Sequence, residues 1–465
     1  LAFFEVIRGQ HEVSETARNQ HEVSETARNS NLQAIYTGRR GYILGFIMDW
    51  LSELTWRGLL QDSSDIDGAR KLTDTSFYCG FDPTAPSLQV GNLVPTIASI
   101  HLARAGLKPI VLLGGATGAI GDPSGRNAER TLLEREIVDQ NVAIQKEQFK
   151  TLFGRFNITP TFVNNLDWFK EIKFIDFLRD IGKFFTMGYM LQKDSVSNRL
   201  DGDGLSYTEF SYMLLQAYDF LHLFQNHNCK LHVGGSDQWG NITAGLELIR
   251  KKGLHGAYAI TFPLITDSQG KKLGKSEGGA IWLDPKMTSP FKFHQYFLNI
   301  ADTDAVRFLK ILTFLPQEKI QEIENSSKEQ PEKRLAQNTL ADELCTFVHG
   351  AEATAAARKS ATVLFGGDIK GISATQLNDI FAEVPSTALP KEQIHGHAAI
   401  DLLVTTKLSK SKGDAKRLIE SGGAYINNER IADISVKIGP EHLIDGELLV
   451  LRAGKKSYHL VRQSA

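Results

Sequence analysis

The chain has 465 residues, 42% hydrophobic and 23% charged, proportions of a folded globular protein rather than a disordered or fibrous one, and a length that calls for two to four domains. Lysine and arginine total 52 against 54 aspartate and glutamate, which excludes a uniformly basic nucleic-acid binder and leaves only local patches. Cys79, Cys229 and Cys345 are odd in number and far apart, so a disulfide framework and a paired-cysteine metal site are excluded and a reducing compartment is expected, while no apolar run reaches the ~18–20 residues of a membrane-spanning helix.

Residues 1–47 look foreign to the rest: Gln-His-Glu-Val-Ser-Glu-Thr-Ala-Arg-Asn stands twice in tandem, at Gln10–Asn19 and Gln20–Asn29. Two copies make no solenoid, and the interspersed glutamates do not suit a basic transit peptide. We expect a disordered, spurious or vector-like extension, with Met48 as the native start. Mixed helical spacing begins at Trp50, Leu51 and Leu54.

From Ser76 to about residue 265, β-like runs alternate with helical ones: Phe77–Phe81, Val94–Ala105, Pro109–Gly114, then an amphipathic stretch from Glu129 to Phe153. Alternation of this kind predicts a parallel sheet with crossover helices, an α/β, Rossmann-like domain over 48–265. Pro95 sits in the first turn of its helix, where the missing N–H costs little, so that helix starts near Gly91. The strand-to-helix junction Tyr78–Asn92 is suited to anions: Gly91 carries no Cβ, the helix N-terminus offers unpaired N–H groups, and Thr84, Gln89 and Asn92 supply uncharged donors. Taken alone, it could equally be an ordinary βα turn.

Lys272-Leu-Gly-Lys-Ser276 lies between Gly270 and Gly279, a loop able to close and bring two ammonium groups onto phosphate oxygens. Alone it could equally be a solvated basic loop. Tyr212, Gln216 and Asp219 fall at i, i+4 and i+7 and share one helix face, where they can converge on a ligand or form a polar seam. Arg126 and Arg130 could meet pyrophosphate or RNA, although pairing with Glu129 and Glu134 is simpler. Beyond residue 285 the pattern turns helical through His294–Phe308, Glu318–Ile323 and Pro331–Phe365, until Gly366-Gly367. Residues 368–397 carry Pro385, Pro390 and several Ser and Gly, and are expected to be a partly flexible linker. In the last segment Lys407, Lys410, Lys412, Lys416 and Arg417 face one acid, Asp414, ahead of a strand–turn–strand pattern bent at Asn427-Asn428.

Several long motifs in one order carry a resemblance: Tyr78-Cys-Gly-Phe-Asp-Pro-Thr84, Gly114–Gly125, Tyr212–Asp219 and Val233-Gly-Gly-Ser-Asp-Gln-Trp-Gly-Asn241. From about Leu54 to the C-terminus the sequence resembles the bacterial-type tyrosyl-tRNA synthetases, which are class I enzymes. Gln89-Val-Gly-Asn92 stands where the class has a His-x-Gly-His type motif, with both histidines replaced, and Lys272–Ser276 resembles its Lys-Met-Ser-Lys-Ser loop.

The resemblance implies a Rossmann-like parallel-sheet catalytic domain, followed by an α-helical domain and a small α+β S4-like RNA-binding domain. It implies a dimerisation insertion at about 165–230 and the lysine loop with its connection at 266–284. An anticodon-recognition domain follows at 285–367, and the S4-like domain at 398–465. It implies tyrosine activation by ATP, with Mg²⁺ carried on the phosphates rather than in a protein cage, and transfer to tRNA(Tyr) by a homodimer. A cytoplasmic location is expected, with the mitochondrial matrix as alternative.

By residue, the resemblance implies Tyr78 and Asp219 on the substrate phenol, and Tyr212, Gln216 and Asp122 on its ammonium group. Gln238 is implied at the reacting groups, and Thr84, Gln89, Asn92, Lys272 and Lys275 as the catalytic set at the phosphates. Gly80, Asp82, Gly91, Gly235, Asp237, Lys275 and Ser276 are implied around the nucleotide, and the five cations of the last segment on RNA. A phenol slot with two buried polar groups would leave both unpaired with phenylalanine, the basis of selectivity for which tyrosyl-tRNA synthetase is itself the standing example. Two rivals remain, a tryptophanyl-tRNA synthetase and a catalytically silent tRNA-binding descendant.

Overall fold

The computed structural model describes residues 49–124, 132–193, 196–197, 204–276, 279–363, 366–382, 384–454 and 457–464. The tandem repeat, Met48, Arg126 and Arg130 lie outside the described residues. The chain divides into two compact units, meeting in sequence at Leu273 and Gly274.

In the first unit, α1 (Trp50–Arg57) leads to a parallel sheet of β1 (Ser76–Phe81), β2 (Lys108–Leu113), β3 (Thr161–Asn164), β4 (Cys229–Gly235) and β5 (Tyr258–Phe262), in the order β3-β2-β1-β4-β5. The crossover helices are α2 (Leu93–Arg104), α3 (Arg135–Gly154), α4 (Tyr207–Asn226) and α5 (Trp239–Lys251). The expected α/β sheet is therefore present, and β1 and β2 fall within one residue of the runs expected there.

Alternation along β1 sends its side chains to two faces. Tyr78 packs with Ile110, Leu112 and Phe220 of α4, whereas Phe81 meets Phe149 of α3 with ring centroids 4.5 Å apart. Helices cover both faces, so the strands read as continuous apolar runs. Helix α2 is buried almost all round, from Leu93 through Leu102, and Pro95 sits in its first turn, where no intrahelical N–H bond is lost. Helix α4 begins at Ser206, whose side chain caps the Glu209 backbone N–H at 3.2 Å. It packs closely on α5, where a Cβ on Gly245 would lie 3.1 Å from Phe220.

The second unit starts with a two-stranded ribbon, β6 (Lys275–Ser276) and β7 (Gly279–Ala280). Helices α6 (Pro290–Leu298), α7 (Asp302–Leu312), α8 (Gln317–Glu329), α9 (Leu335–His349) and α10 (Ala351–Val363) follow, with α9 buried on most of its circumference. The terminal sheet has the order β10-β9-β11-β12-β8, built from β8 (Ser386–Pro390), β9 (Ala424–Ile426), β10 (Glu429–Arg430), β11 (Leu448–Ala453) and β12 (Ser457–Ser464).

Residues 368–397 are not the tether expected from their Pro and Gly content. They contain a capped helix, Ala374–Ile380, and β8, which pairs in parallel with β12. Ile372, Leu377, Ile380 and Phe381 share a core with Val363, Val450, Tyr458 and Leu460. Asn428 Nδ2 donates to the carbonyls of Val363 and Gly367, 3.0 Å from each. An edge strand tolerates Pro390 because one side of it needs no donor, so the prolines that suggested a linker fit a strand margin. Among the described residues no helix is long and apolar enough to cross a membrane.

Candidate active site

The strand order reverses between β1 and β4, and in open α/β sheets ligands bind in the crevice outside the strand carboxyl ends at such a switch. A cavity of about 390 Å³ opens there, lined by Tyr78–Asp82 of β1 and its exit and by His232–Gly235 of β4. Of the residues singled out from sequence, it gathers Tyr78, Gly80, Asp82, Thr84, Gly91, Asn92, Asp122, Tyr212, Gln216, Asp219, Gly235, Asp237, Gln238 and Lys272.

Its buried end is built from strand and helix interiors. Tyr78 and Asp219 are each 1% exposed. Asp219 accepts from Trp168 Nε1 at 2.9 Å and from Asn165 Nδ2 at 3.1 Å. Burial pushes its carboxyl up to about 8 against those two hydrogen bonds, with the Asp82 charge adding to the rise. The Tyr78 hydroxyl lies 3.0 Å from His232 Nδ1, and burial holds that phenol well above its ordinary range. Burial also pushes the His232 imidazole down to about 3, so the ring is neutral.

Toward the middle, the shared helix face is real: Tyr212, Gln216 and Asp219 of α4 all reach the cavity. The Tyr212 hydroxyl donates to Asp82 at 2.8 Å, and Thr117 Oγ1 donates to the other Asp82 oxygen at 2.7 Å. Gly114 is required here, since a Cβ would sit 2.1 Å from Asp82 and 2.3 Å from the Thr117 hydroxyl. Asp122 accepts from Gln238 Nε2 at 2.7 Å and from the Ser124 backbone at 2.9 Å, with Asn241 Nδ2 at 3.4 Å. Gln216 lines the cavity, and its Oε1 is buried without a hydrogen-bond partner.

At the exposed end stand Thr84, Gly91, Asp237 and Lys272. A Cβ on Gly91 would meet nothing within 4 Å. Partial desolvation and then the Asp122 charge raise the Asp237 carboxyl, with the Gln238 hydrogen bond and Lys272 opposing. Gln89 differs from its sequence assignment, since it is not among the lining residues. Gln89 and Asn92 form a reciprocal capping box around the turn Val90–Asn92, with the Gln89 backbone N–H donating to Asn92 Oδ1 at 2.8 Å. An amide pair at this spacing satisfies the helix entrance itself. Lys275 and Ser276 belong to the second unit, on β6. Among the described residues, no group of three or more His, Cys, Asp or Glu is placed to hold a metal.

Asn165, Trp168, Thr117, Asn241 and His232 were not singled out from sequence. Asn165 directly follows β3 and is fully buried. A polar residue at the carboxyl end of a parallel strand was the available signal. His232 gave a weaker one, since a histidine inside an apolar strand reads as core.

In the terminal segment, Ser411 caps α11 (Lys412–Glu420), with Ala415 and Ile419 buried beneath it. Lys407, Lys410, Lys412, Lys416 and Arg417 are all exposed. Three of them meet acids: Lys412 meets Asp401 at 2.6 Å, and Lys416–Glu420 and Arg417–Asp414 are each 3.9 Å apart. Asn427 and Asn428 take φ of 48° and 62° between β9 and β10, the left-handed pair that a two-residue hairpin turn demands.

Known proteins match the chain both in sequence and in fold. Residues 70–366 match the family model for class I tRNA synthetases (W and Y), and residues 376–461 match that of the tyrosine–tRNA ligase SYY-like C-terminal domain. The tyrosine–tRNA ligase of Roseiflexus castenholzii is 47% identical over 418 residues, covering 89% of this chain and 99% of that protein. That of Geobacillus stearothermophilus is 46% identical over 425 residues, 89% of this chain and all of the relative. A C-terminally truncated mitochondrial tyrosyl-tRNA synthetase of Aspergillus nidulans superposes with a TM-score of 0.61 at 32% identity, covering 74% of this chain and 100% of that one. The chain belongs to the class I tRNA synthetases for tryptophan and tyrosine, and within them to the tyrosine–tRNA ligases.

Proposed function

We infer that the chain activates L-tyrosine with ATP, forming tyrosyl-adenylate and pyrophosphate, and then transfers the tyrosyl group to the 3′ end of tRNA(Tyr). The observation that carries this reading is the buried Tyr78–Asp219 pair at the end of a cavity whose other end is a helix N-terminus with Thr84 and Lys272. The substrate phenol bonds between Tyr78 and Asp219. Its ammonium group is received by Asp122, the orphan Gln216 Oε1 and the Tyr212 oxygen, and Asp82 orients Tyr212.

Mg–ATP enters as substrate at the exposed end. A tyrosine carboxylate oxygen attacks the α-phosphorus as the bond to pyrophosphate breaks, and the adenylate forms without a covalent enzyme intermediate. Rate comes from alignment and from cations and N–H groups placed where charge grows on the leaving oxygens. Lys272, Thr84, Asn92 and the entrance to α2 supply these. Gln89 acts by shaping that entrance.

Helices α6–α10 read the anticodon, and the exposed cations around α11 follow the tRNA backbone as an S4-like module. Phe174, Ile175, Met187 and Tyr207, which are 60–70% exposed within the segment 165–230, support a homodimer contact. The bacterial relatives support a cytoplasmic location, and subcellular fractionation distinguishes it from the mitochondrial matrix.

The test is ATP–pyrophosphate exchange with single amino acids. Tyrosine alone should stimulate it. Stimulation by tryptophan instead, or tRNA binding with no exchange, would overturn the reading in favour of the tryptophan enzyme or a silent descendant.

A further inference from the structure

His232 is a fully enclosed histidine with no part in the activation chemistry. Tyr78 and His232 are paired residues on adjacent parallel strands, β1 and β4. Their rings stack with centroids 4.0 Å apart at 24°, and Phe220 closes edge-on against His232 at 5.2 Å. The ring is 2% exposed and lines the same cavity as Asp219. A polar ring in such a place is costly unless its nitrogens are used, and the partner found for Nδ1 is the Tyr78 hydroxyl at 3.0 Å.

We propose that His232 is a positioning residue that fixes the direction of the Tyr78 hydroxyl and thereby sets discrimination between tyrosine and phenylalanine. The inference rests on the assignment of Tyr78 and Asp219 to the substrate phenol. A tyrosine hydroxyl has one proton and can face a ligand as donor or as acceptor. Nδ1 of the neutral imidazole accepts the Tyr78 proton and fixes the Nε2–H tautomer. The Tyr78 lone pair is then left toward the cavity. Asp219, which keeps its proton near neutrality, donates to the substrate phenol oxygen, and the substrate hydroxyl donates to Tyr78.

One direction runs through all three bonds, from Asp219 through substrate and Tyr78 to His232. Phenylalanine breaks that run at both contacts. Without the imidazole, the Tyr78 O–H is free to turn into the slot and find Asp219, and an empty or phenylalanine-filled slot no longer holds an unpaired acceptor. The selectivity of a buried polar slot depends on its groups having nowhere else to turn.

The experiment is ATP–pyrophosphate exchange with tyrosine and with phenylalanine on the full chain and on Tyr78→Phe, His232→Phe and His232→Asn, alongside their melting temperatures. His232→Phe keeps the stacking and removes the acceptor. It should lower the tyrosine-to-phenylalanine ratio of kcat/KM by roughly 10-fold, the loss of about one buried hydrogen bond. The KM for tyrosine should rise while that for ATP stays. His232→Asn, whose Oδ1 stands near the Nδ1 position, should recover most of the ratio.

A ratio unchanged in a folded His232→Phe overturns the proposal, as does a His232→Asn no better than His232→Phe. Should His232→Phe fail to fold, ¹⁵N-histidine NMR of the unmodified chain decides: a protonated Nε2 with bare Nδ1 supports the proposal, and an Nδ1–H tautomer overturns it. Absence of tyrosine-dependent exchange in the unmodified chain would instead sink the assignment of the substrate. Exchange that is intact there, and impaired by Tyr78→Phe but not by His232→Phe, sinks the role of His232 alone.

Discussion

Burial holds the proton on Asp219: with its carboxyl pushed up to about 8 from 3.8, it stays neutral in the folded chain across a window in which the unfolded chain has ionised. Between those two values the folded state binds more protons, so stability falls as pH rises, by ~1.4 kcal/mol per pH unit for a single group. Chemical denaturation of the ligand-free chain at pH 6 and at pH 8 should show that fall, and Asp219→Asn should flatten it. An equal slope in the variant would mean that Asp219 is ionised in the empty cleft.

At this scale the sequence was informative only where family motifs or helical spacing pointed. Tyr212, Gln216 and Asp219 could be placed together from i, i+4, i+7 alone. By contrast, Asn165 follows β3, Trp168 lies on the short helix Leu166–Phe169 and His232 lies on β4, and only the packed sheet brings them to Asp219 and Tyr78. The reassignment of Gln89 has the same cause. Its backbone and that of Asn92 need capping partners, a local demand that phosphate-centred reasoning overlooked.

Elements position the site through close approach. Helix α4 carries Tyr212, Gln216 and Asp219 on one face, and the adjoining flank meets α5 at Gly245, with Phe220 and Ala217 across the seam at 3.1 Å and 3.6 Å from a notional Cβ. Gly245→Val forces those helices apart, and overpacking of this order costs about 1–3 kcal/mol. Thermal denaturation should show a lowered midpoint, together with a raised KM for tyrosine, because Gln216 and Asp219 move with α4. A variant with unchanged midpoint and KM would show that the seam has room to spare.

In the first unit β1, β2 and the helix between them were legible because short apolar runs bounded by turn signals flank a longer apolar stretch opened by Pro95. The segment 368–397 was misread because its Pro and Gly signal irregular backbone. Here the two prolines flank or close an edge strand, and what orders the segment is a distant partner, β12.

At the scale of the whole molecule, four of the most exposed large apolar side chains among the described residues fall in the proposed dimer contact. Phe174 and Ile175 are 65% and 70% exposed on one short helix, with Met187 and Tyr207 similarly open, an arrangement that a monomer leaves wet at a cost of ~25 cal/mol per Å² of apolar area. Phe174→Glu with Ile175→Glu should convert a dimer into monomers in sedimentation velocity, with the fold kept by circular dichroism. A monomeric unmodified chain, or a variant that stays dimeric, would remove this surface from the assembly. The α/β sheet of the first unit could be read from its alternating runs. The pairing of β8 with β12 could not, because a parallel pair so distant in sequence leaves no local pattern.

On the proposed function, one cavity at the β1–β4 switch grips a phenol at its buried end and an adenylate at its open end. A crystal structure with a non-hydrolysable tyrosyl-adenylate analogue tests it directly. The phenol oxygen should lie within ~3 Å of both Tyr78 Oη and an Asp219 carboxyl oxygen, with the ammonium nitrogen on Gln216 Oε1 and the phosphoryl group toward Thr84 and Lys272. An analogue bound with its phenol elsewhere, or with Asp219 still bonded only to Asn165 and Trp168, would contradict the account.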